Sequence, residues 1–335
     1  MRSLYFLAPN QLEWRDVPDA TIEAPTDVIV RPIAATTCDI DKYIIEGSAP
    51  MKGAFCLGHE AVGEVVEVGP EVRQRYVGER VVISYFHACG DCQRCHDAAP
   101  NRCTNHPKEW MGVGLPKMEA IGTFSDLVRI PHGDFALTHL PEHFDPVECA
   151  SAGDNIPFGY ELVVPQLLRK PGASVLIMGG VGSIPLYTVA FALAAGAKKV
   201  DYVDDDPANL QIAADLGASV HQGPAPRRMG KYPITVDTSG KKESLLCAIR
   251  STEDEGHCLS VGAHFHDFPL PLWEMYAQGI HFYTGPGRGI PNIVPALEMI
   301  ADRQIPIGKI VSGVFPFDSA SEVLLNPSRK PVFVR

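Results

Sequence analysis

The pattern of apolar and polar positions changes midway along the chain. Up to about residue 150 it consists of short β-branched runs between turn residues, such as Asp27-Val28-Ile29-Val30-Arg31-Pro32 and Ala61-Val62-Gly63-Glu64-Val65-Val66-Glu67-Val68-Gly69. Runs of that length and spacing predict a compact, mostly antiparallel β domain with loop insertions. From about residue 165 strand patterns alternate with helical ones. Ser174 to Met178 reads as a buried strand, followed by a glycine turn and a helix from Leu186 to Ala195. A second strand spans Lys199 to Val203, and a second helix spans Pro207 to Leu216, with proline in its first turn and Gly217 at its C-cap. Ile234 to Asp237, Cys258 to Gly262 and Ile280 to Tyr283 extend the series. Such alternation implies βαβ units around a parallel sheet, an α/β fold. Past Gly285 come a helix, Val294 to Ala301, and short β runs, Lys309 to Phe315 and Val332 to Val334. These are expected to return to the first domain and make it discontinuous. The chain has no internal repeat and no low-complexity segment.

Composition narrows the class. The 335 residues suit two hydrophobic cores better than one, at roughly 100–200 residues per domain. Hydrophobic residues make up 45% and charged residues 21%, the balance of an ordinary soluble globular protein. A net charge of −11, with Arg227-Arg228 only a pair, argues against a nucleic-acid partner, whose phosphates call for clustered cations. The apolar stretch Leu4 to Pro9 is much shorter than a signal-peptide core, and no uncharged run approaches the roughly 18–20 residues of a membrane span. No membrane association and a cytoplasmic location are therefore expected. Nine cysteines in such a setting are better read as metal ligands than as disulfides.

Cys89, Cys92, Cys95 and Cys103 form a C-x2-C-x2-C-x7-C array that includes Gly90, Asp91 and Pro100. Four thiolates so spaced can close a tetrahedron around zinc and leave no open position, which makes the site structural. An iron–sulfur centre is the alternative, and metal analysis separates the two.

Gly58-His59-Glu60 follows Cys38 by about twenty residues. With the four-cysteine lobe and the later nucleotide fold, these motifs stand in the order and at the spacing of the medium-chain zinc-dependent alcohol dehydrogenase family, which the sequence resembles over essentially its whole length. The resemblance implies a GroES-like catalytic domain of residues 1–157 and 291–335, and a Rossmann doubly wound NAD-binding domain of residues 158–290. It places the active site in the cleft between them. It also implies a catalytic zinc on Cys38, His59 and a third ligand at Asp154, giving two zinc ions per chain. Glu60 is then a nearby carboxylate that approaches the zinc transiently as water and substrate exchange. Asp154 also reads as a helix N-cap. Alcohol oxidation needs such a site because hydride leaves from an alkoxide, and metal binding lowers the pKa of coordinated water from about 15.7 to about 7 in favourable cases.

The loop Gly179-Gly180-Val181-Gly182-Ser183-Ile184-Pro185 lies between a strand and a helix, where a Rossmann fingerprint belongs. It supplies Gly180 and Gly182 and puts Pro185 in place of the third glycine, whose role is mainly helix–strand packing. Asp204 ends the next strand, 22 residues after Gly182, and suits an adenosine ribose. Asp205 and Asp206 follow, and three carboxylates without a nearby arginine in sequence favour NAD over NADP. Cofactor contacts are expected at Gly180, Gly182, Ser183, Ile184, Asp204 and Phe158.

Two positions depart from the family. Its members commonly carry Ser or Thr two residues after the cysteine ligand, and often His five after it, to relay the alcohol proton. This chain has Ile40 and Tyr43 there. Tyr85, on the strand entering the cysteine lobe, is the candidate substitute, or else simply an apolar wall. A second reading is a NAD(P)H-dependent reductase of activated C=C or iminium groups, with Ile40 and Phe158 shaping a drier pocket. A third is a non-catalytic nucleotide-binding protein. Ile40, Tyr85, Trp110 and Phe158 favour a hydrophobic or aromatic alcohol or carbonyl substrate over a polyol. His264 and His266, two apart as on a strand, receive no role. By family analogy the Ile280 to Tyr283 strand extends the sheet across a two-fold axis, so a homodimer or homotetramer is expected.

Overall fold

A computed structural model describes residues 1–115 and 117–335. The chain divides into two compact units. One comprises Met1–Pro157, Arg288–Leu297 and Val311–Arg335, and the other Phe158–Gly287 and Glu298–Ile310.

In the first unit, β1 (Arg2–Ala8) and β2 (Gln11–Asp16) form an antiparallel hairpin. Asn10 in its turn takes a left-handed φ of 58°, which asparagine tolerates. The β-branched runs then do what their pattern predicts. β3 (Val28–Thr36) is buried along nearly its whole length and leads into α1 (Asp39–Glu46). β4 (Phe55–Cys56) pairs with β1, and β5 (Glu60–Val68) lies antiparallel to β3 with Thr36 opposite Glu60. β6 (Arg80–Ile83) follows β5 antiparallel, and α2 (Gln93–His96) is one turn inside the cysteine lobe. β7 (Val128–Ile130) pairs with β3; after the turn α3 (Gly133–Ala136), β8 (Leu137–His139) pairs with β6.

α4 (Asn155–Arg169) carries the chain into the second unit. There β9 (Val175–Met178), α5 (Ile184–Ala194), β10 (Val200–Asp204), α6 (Pro207–Leu216) and β11 (Ser219–Gln222) form the first half of an α/β sheet. β12 (Tyr232–Asp237), α7 (Lys242–Ser251), β13 (Thr252–Ser260), α8 (Leu272–Gln278) and β14 (His281–Thr284) form the second. Every pairing is parallel and the order is β11-β10-β9-β12-β13-β14, so the winding reverses between β9 and β12. This is the expected doubly wound sheet. α6 has the expected ends: Asp206 accepts the Ala208 N–H at 2.8 Å, Pro207 opens the first turn, and Gly217 closes the helix at φ 111°.

α9 (Ile290–Arg303) starts in the first unit and ends in the second, so the second unit also takes Glu298–Ile310, beyond the boundary expected at residue 290. The run Lys309 to Phe315, expected to be a single β run, is in fact split. Ile307–Ile310 is a 3₁₀ turn and only Gly313–Pro316 is a strand, β15. Ile307 and Ile310 are both buried, and residues three apart share a face in a 3₁₀ turn but not in a strand. β16 (Pro331–Val334) runs parallel to β15 and antiparallel to β3, with Val332 opposite Thr36. The C-terminal strand thus completes a seven-stranded sheet, ordered β15-β16-β3-β5-β6-β8 with β7 on β3, in the N-terminal unit. Among the described residues no helix is long and apolar enough to cross a membrane.

Candidate active site

Three segments of the first unit bring Cys38, His59 and Asp154 together. Cys38 is the N-cap of α1, fixed where Asp41 accepts its backbone N–H at 2.9 Å. His59 enters β5 from Gly58, whose φ of +94° is left-handed. A Cβ on Gly58 would stand 2.5 Å from the Phe124 ring and 2.7 Å from Thr123 Oγ1, so only glycine fits before the histidine. Asp154 lies in the turn preceding α4. One thiol sulfur, one imidazole nitrogen and one carboxylate oxygen lie within 4.8 Å of one another, with His59 Nε2 3.6 Å from Asp154 Oδ2.

The electrostatics of this cluster call for a cation. Burial, then the charges of Asp154 and Glu60, pushes the Cys38 thiol well above its usual range. Burial opposes a charged His59, but Asp41 and Asp154 outweigh it and lift the imidazole to about 9. A dication would take the place of those protons. Tetrahedral zinc, at about 2.0–2.3 Å from N, O and S ligands, puts ligand atoms about 3.3–3.8 Å apart, a range that includes the 3.6 Å between His59 Nε2 and Asp154 Oδ2. The three residues therefore fit a zinc ion and leave a fourth position open. Asp41 was not singled out from sequence. Its Oδ1 lies 3.7 Å from His59 Nδ1, too far for a hydrogen bond but on the side of the ring away from Asp154, where its charge acts on the imidazole. Its place as the third residue of α1 after Cys38 was the available signal.

Glu60 is fully buried and is held by three donors rather than lying loose. Asn155 N–H donates to Oε1 at 2.9 Å, Ser151 Oγ donates to Oε2 at 3.2 Å, and the Lys330 ammonium donates to the same oxygen. Burial pushes Glu60 up to about 7 against the pull of Lys330. Lys330, itself buried and also bonded to the Thr37 carbonyl, escaped the sequence reading because nothing marks a C-terminal lysine as buried.

The Tyr85 ring stands edge-on to His59 at 6.3 Å and meets Phe86 at 4.6 Å and Trp110 at 6.4 Å. Tyr85 is thus beside the triad. Ile40 occupies the first turn of α1, half-buried, two residues from Cys38.

The cysteine lobe is separate from this triad. Cys92 and Cys95 sulfurs are 3.5 Å apart, Cys92 and Cys103 3.8 Å, and Cys103 and Cys89 3.6 Å. A disulfide would need about 2.05 Å, and all four are free thiols. Four sulfurs about 2.3 Å from one zinc are about 3.8 Å apart, so the lobe is spaced for a single ion. The Thr104 hydroxyl and N–H hold the Cys92 thiol at about 5, favouring the thiolate that binds metal.

In the second unit, the loop after β9 is narrow. A Cβ on Gly180 would stand 2.5 Å from the Thr238 carbonyl, and one on Gly179 2.4 Å from Asp204 Oδ2. Ser183 is the N-cap residue of α5, and Ile184 and Pro185 form its first turn, so the helix N-terminus follows directly on the glycine loop, as in a pyrophosphate-binding turn. Asp204 ends β10 and accepts from Asp206 N–H at 3.0 Å, Asn209 Nδ2 at 3.1 Å and the Tyr202 hydroxyl. Lys241 Nζ, distant in sequence, lies 2.6 Å from Asp205 Oδ2, so the acidic run has one cation beside it. Phe158 is buried in the first turn of α4, against Gly287, where a Cβ would meet its ring at 2.9 Å. The glycine cradle, the N-terminus of α5 and Asp204 fit a dinucleotide.

Residues 24–142 match the family described as alcohol dehydrogenase GroES-like domain. The chain is 28% identical over 333 residues to a probable zinc-binding alcohol dehydrogenase of Mycobacterium tuberculosis, covering 96% of this chain and 84% of that protein. It is 25% identical over 342 residues to zinc-type alcohol dehydrogenase B of Aspergillus flavus, covering 96% and 77%. Among solved structures, alcohol dehydrogenase TADH from Thermus sp. ATN1 superposes with a TM-score of 0.88 at 25% identity, over 100% of both chains.

Proposed function

Because the chain belongs to the zinc-dependent alcohol dehydrogenase family of the medium-chain dehydrogenases and reductases, we propose that it transfers a hydride between NAD(H) and an alcohol, aldehyde or ketone. The observation that carries this reading is the convergence of Cys38, His59 and Asp154 in a buried, cation-demanding cluster. Zinc held there supplies a Lewis acid that acidifies an alcohol hydroxyl or polarises a carbonyl. The chain's own residues do the rest. Asp41 faces His59 Nδ1 across 3.7 Å and acts on the ring through its charge, and Lys330, Ser151 and Asn155 hold the Glu60 carboxylate beside the ligands. Tyr85, at the edge of His59, passes the substrate proton that Ile40 cannot carry. Cys89, Cys92, Cys95 and Cys103 bind a second, structural zinc.

Asp204 is proposed to bind the adenosine ribose, with Asp205 and Asp206 disfavouring a 2′-phosphate, so that NAD is used in preference to NADP. Lys241 offsets only part of that charge, since both it and Asp205 are about half exposed. The test is a panel of hydrophobic and aromatic alcohols, polyols and the matching carbonyls, run with NAD and with NADP. Turnover of alcohols with NAD is expected. Consumption of NADH with an enal or iminium but with no aldehyde or ketone would point to the reductase reading, and nucleotide binding without any turnover to the non-catalytic one.

A further inference from the structure

His264 and His266 do not share the face of a strand. β13 ends at Ser260, and both lie in the loop after it, with His266 exposed and His264 drawn in. The reason is Asp237, the last residue of β12, which is fully buried. Its Oδ1 accepts from Ser239 Oγ at 2.6 Å and Ser239 N–H at 3.2 Å. Its Oδ2 accepts from Ser260 Oγ at 3.2 Å and lies 3.1 Å from His264 Nε2. The tautomer that satisfies this contact carries its hydrogen on Nε2 and presents Nδ1 as an acceptor. The ring is also packed edge-on against Phe268 at 5.2 Å, which fixes its plane. No residue among those described bonds Nδ1, and the side chain keeps 16% of its surface exposed.

The place of this acceptor gives it meaning. In an open α/β sheet, ligands bind beyond the carboxyl ends of the strands where the winding reverses, here between β9 and β12. The loops after β9, β12 and β13 meet there. A Cβ on Gly180 would collide with the Thr238 carbonyl, and one on Gly262 would stand 2.3 Å from the Gly240 nitrogen. β10, which carries Asp204, lies on one side of β9; β12 and β13 lie on the other. A dinucleotide whose adenosine half sits at Asp204 therefore carries its nicotinamide half towards the β13 loop.

We propose that His264, oriented by Asp237, is a cofactor-contacting residue whose Nδ1 accepts a hydrogen bond from the nicotinamide half of the bound dinucleotide. This rests on the nucleotide reading above. The donors available on that half are the ribose hydroxyls and the carboxamide amine. The contact adds a specificity element that the glycine loop and Asp204 do not provide, because it distinguishes a complete dinucleotide from its adenosine fragment.

The test is calorimetric titration of the full-length wild-type chain, His264→Ala and His264→Asn with NADH, ADP-ribose and AMP. For His264→Ala the NADH dissociation constant is expected to rise about five- to tenfold, the worth of one hydrogen bond, with AMP affinity unchanged. His264→Asn, which keeps an acceptor, recovers part of the loss. ADP-ribose shares the loss if the donor is a ribose hydroxyl and keeps wild-type affinity if it is the carboxamide. Equal weakening of AMP and NADH, or unchanged NADH binding, would overturn the role of His264 while leaving the nucleotide site standing. A wild-type chain that binds none of the three would overturn the nucleotide reading and this contact with it.

Discussion

The chemistry of this chain is concentrated in a few side chains whose neighbours decide their state. Cys38, His59 and Asp154 were legible because motifs in a recognisable order carry them. Asp41 and Lys330 were not, because a buried carboxylate and a buried lysine read in sequence as ordinary surface charges until the fold places them beside His59 and Glu60. His264 was equally opaque, since its partner Asp237 lies 27 residues away on another strand. Tyr85 was expected on the strand entering the cysteine lobe; that strand, β6, ends at Ile83 and Tyr85 lies in the bend just past it, with its ring edge-on to His59. If its hydroxyl carries the substrate proton, Tyr85→Phe lowers the turnover number for alcohol oxidation by on the order of a hundredfold, leaves zinc content intact and alters the pH profile. Unchanged turnover across pH would make Tyr85 a wall residue only.

Elements were readable where their ends were marked and their period was clean. α6 carries Asp206, Pro207 and Gly217 as its caps, and its expected span is the one found. α4 escaped because Pro157, Gly159 and Pro165 interrupt its pattern, although proline in a first turn costs little and the buried Ile156, Leu162, Val163 and Leu167 hold the rest. α7 places Leu245, Ala248 and Ile249 on one buried face, a short helical period that ten residues hardly reveal. The β4–β5 corner depends on Gly58, where the backbone is left-handed and the space for a Cβ is filled. Gly58→Ala should cost about 2 kcal/mol or more in urea unfolding and should empty the site at His59 while the cysteine lobe keeps its metal. Wild-type stability with full zinc content would show that the corner tolerates a side chain.

Between strands, Asp201 of β10 is buried and bonded to His221 of β11 at 2.7 Å and to the Tyr232 hydroxyl of β12 at 2.9 Å. Burial works against its charge, but Lys199, His221 and Tyr232 prevail and hold its carboxyl below the usual range. A carboxylate with a depressed folded pKa contributes stability that is present above its unfolded value, about 3.9, and is lost as pH falls through the folded value. Asp201→Asn is therefore expected to destabilise the chain by about 1–3 kcal/mol at pH 7, with the gap closing below about pH 4. A gap that persists unchanged at acid pH would mean that the charge is not what binds these strands.

At the scale of the molecule, the return of β16 to β3 completes the sheet of the unit that carries Cys38, His59 and Asp154, and the reversal of strand order lies in the unit that carries the glycine loop and Asp204. The sequence places the first crossing at Pro157 and Phe158, whereas the crossing inside α9, between Leu297 and Glu298, and the later one between Ile310 and Val311 carry no compositional mark. β14 is an edge of the parallel sheet, and the nearby α8 exposes Leu272, Trp273 and Tyr276 at 68%, 76% and 78%. An edge strand and an apolar helix left uncovered favour a second copy of the chain as partner. Light scattering should then give a dimer or tetramer, and charge placed at Trp273 and Tyr276 should weaken it; a monomer at high concentration would contradict this.

If Cys38, His59 and Asp154 share one zinc with an open position, metal counting on the wild type and on Asp154→Ala will show it. The expected result is two zinc ions per wild-type chain and one per variant chain, with the retained ion bound by four sulfurs in its X-ray absorption spectrum. A wild-type chain that holds only a four-sulfur zinc would contradict it.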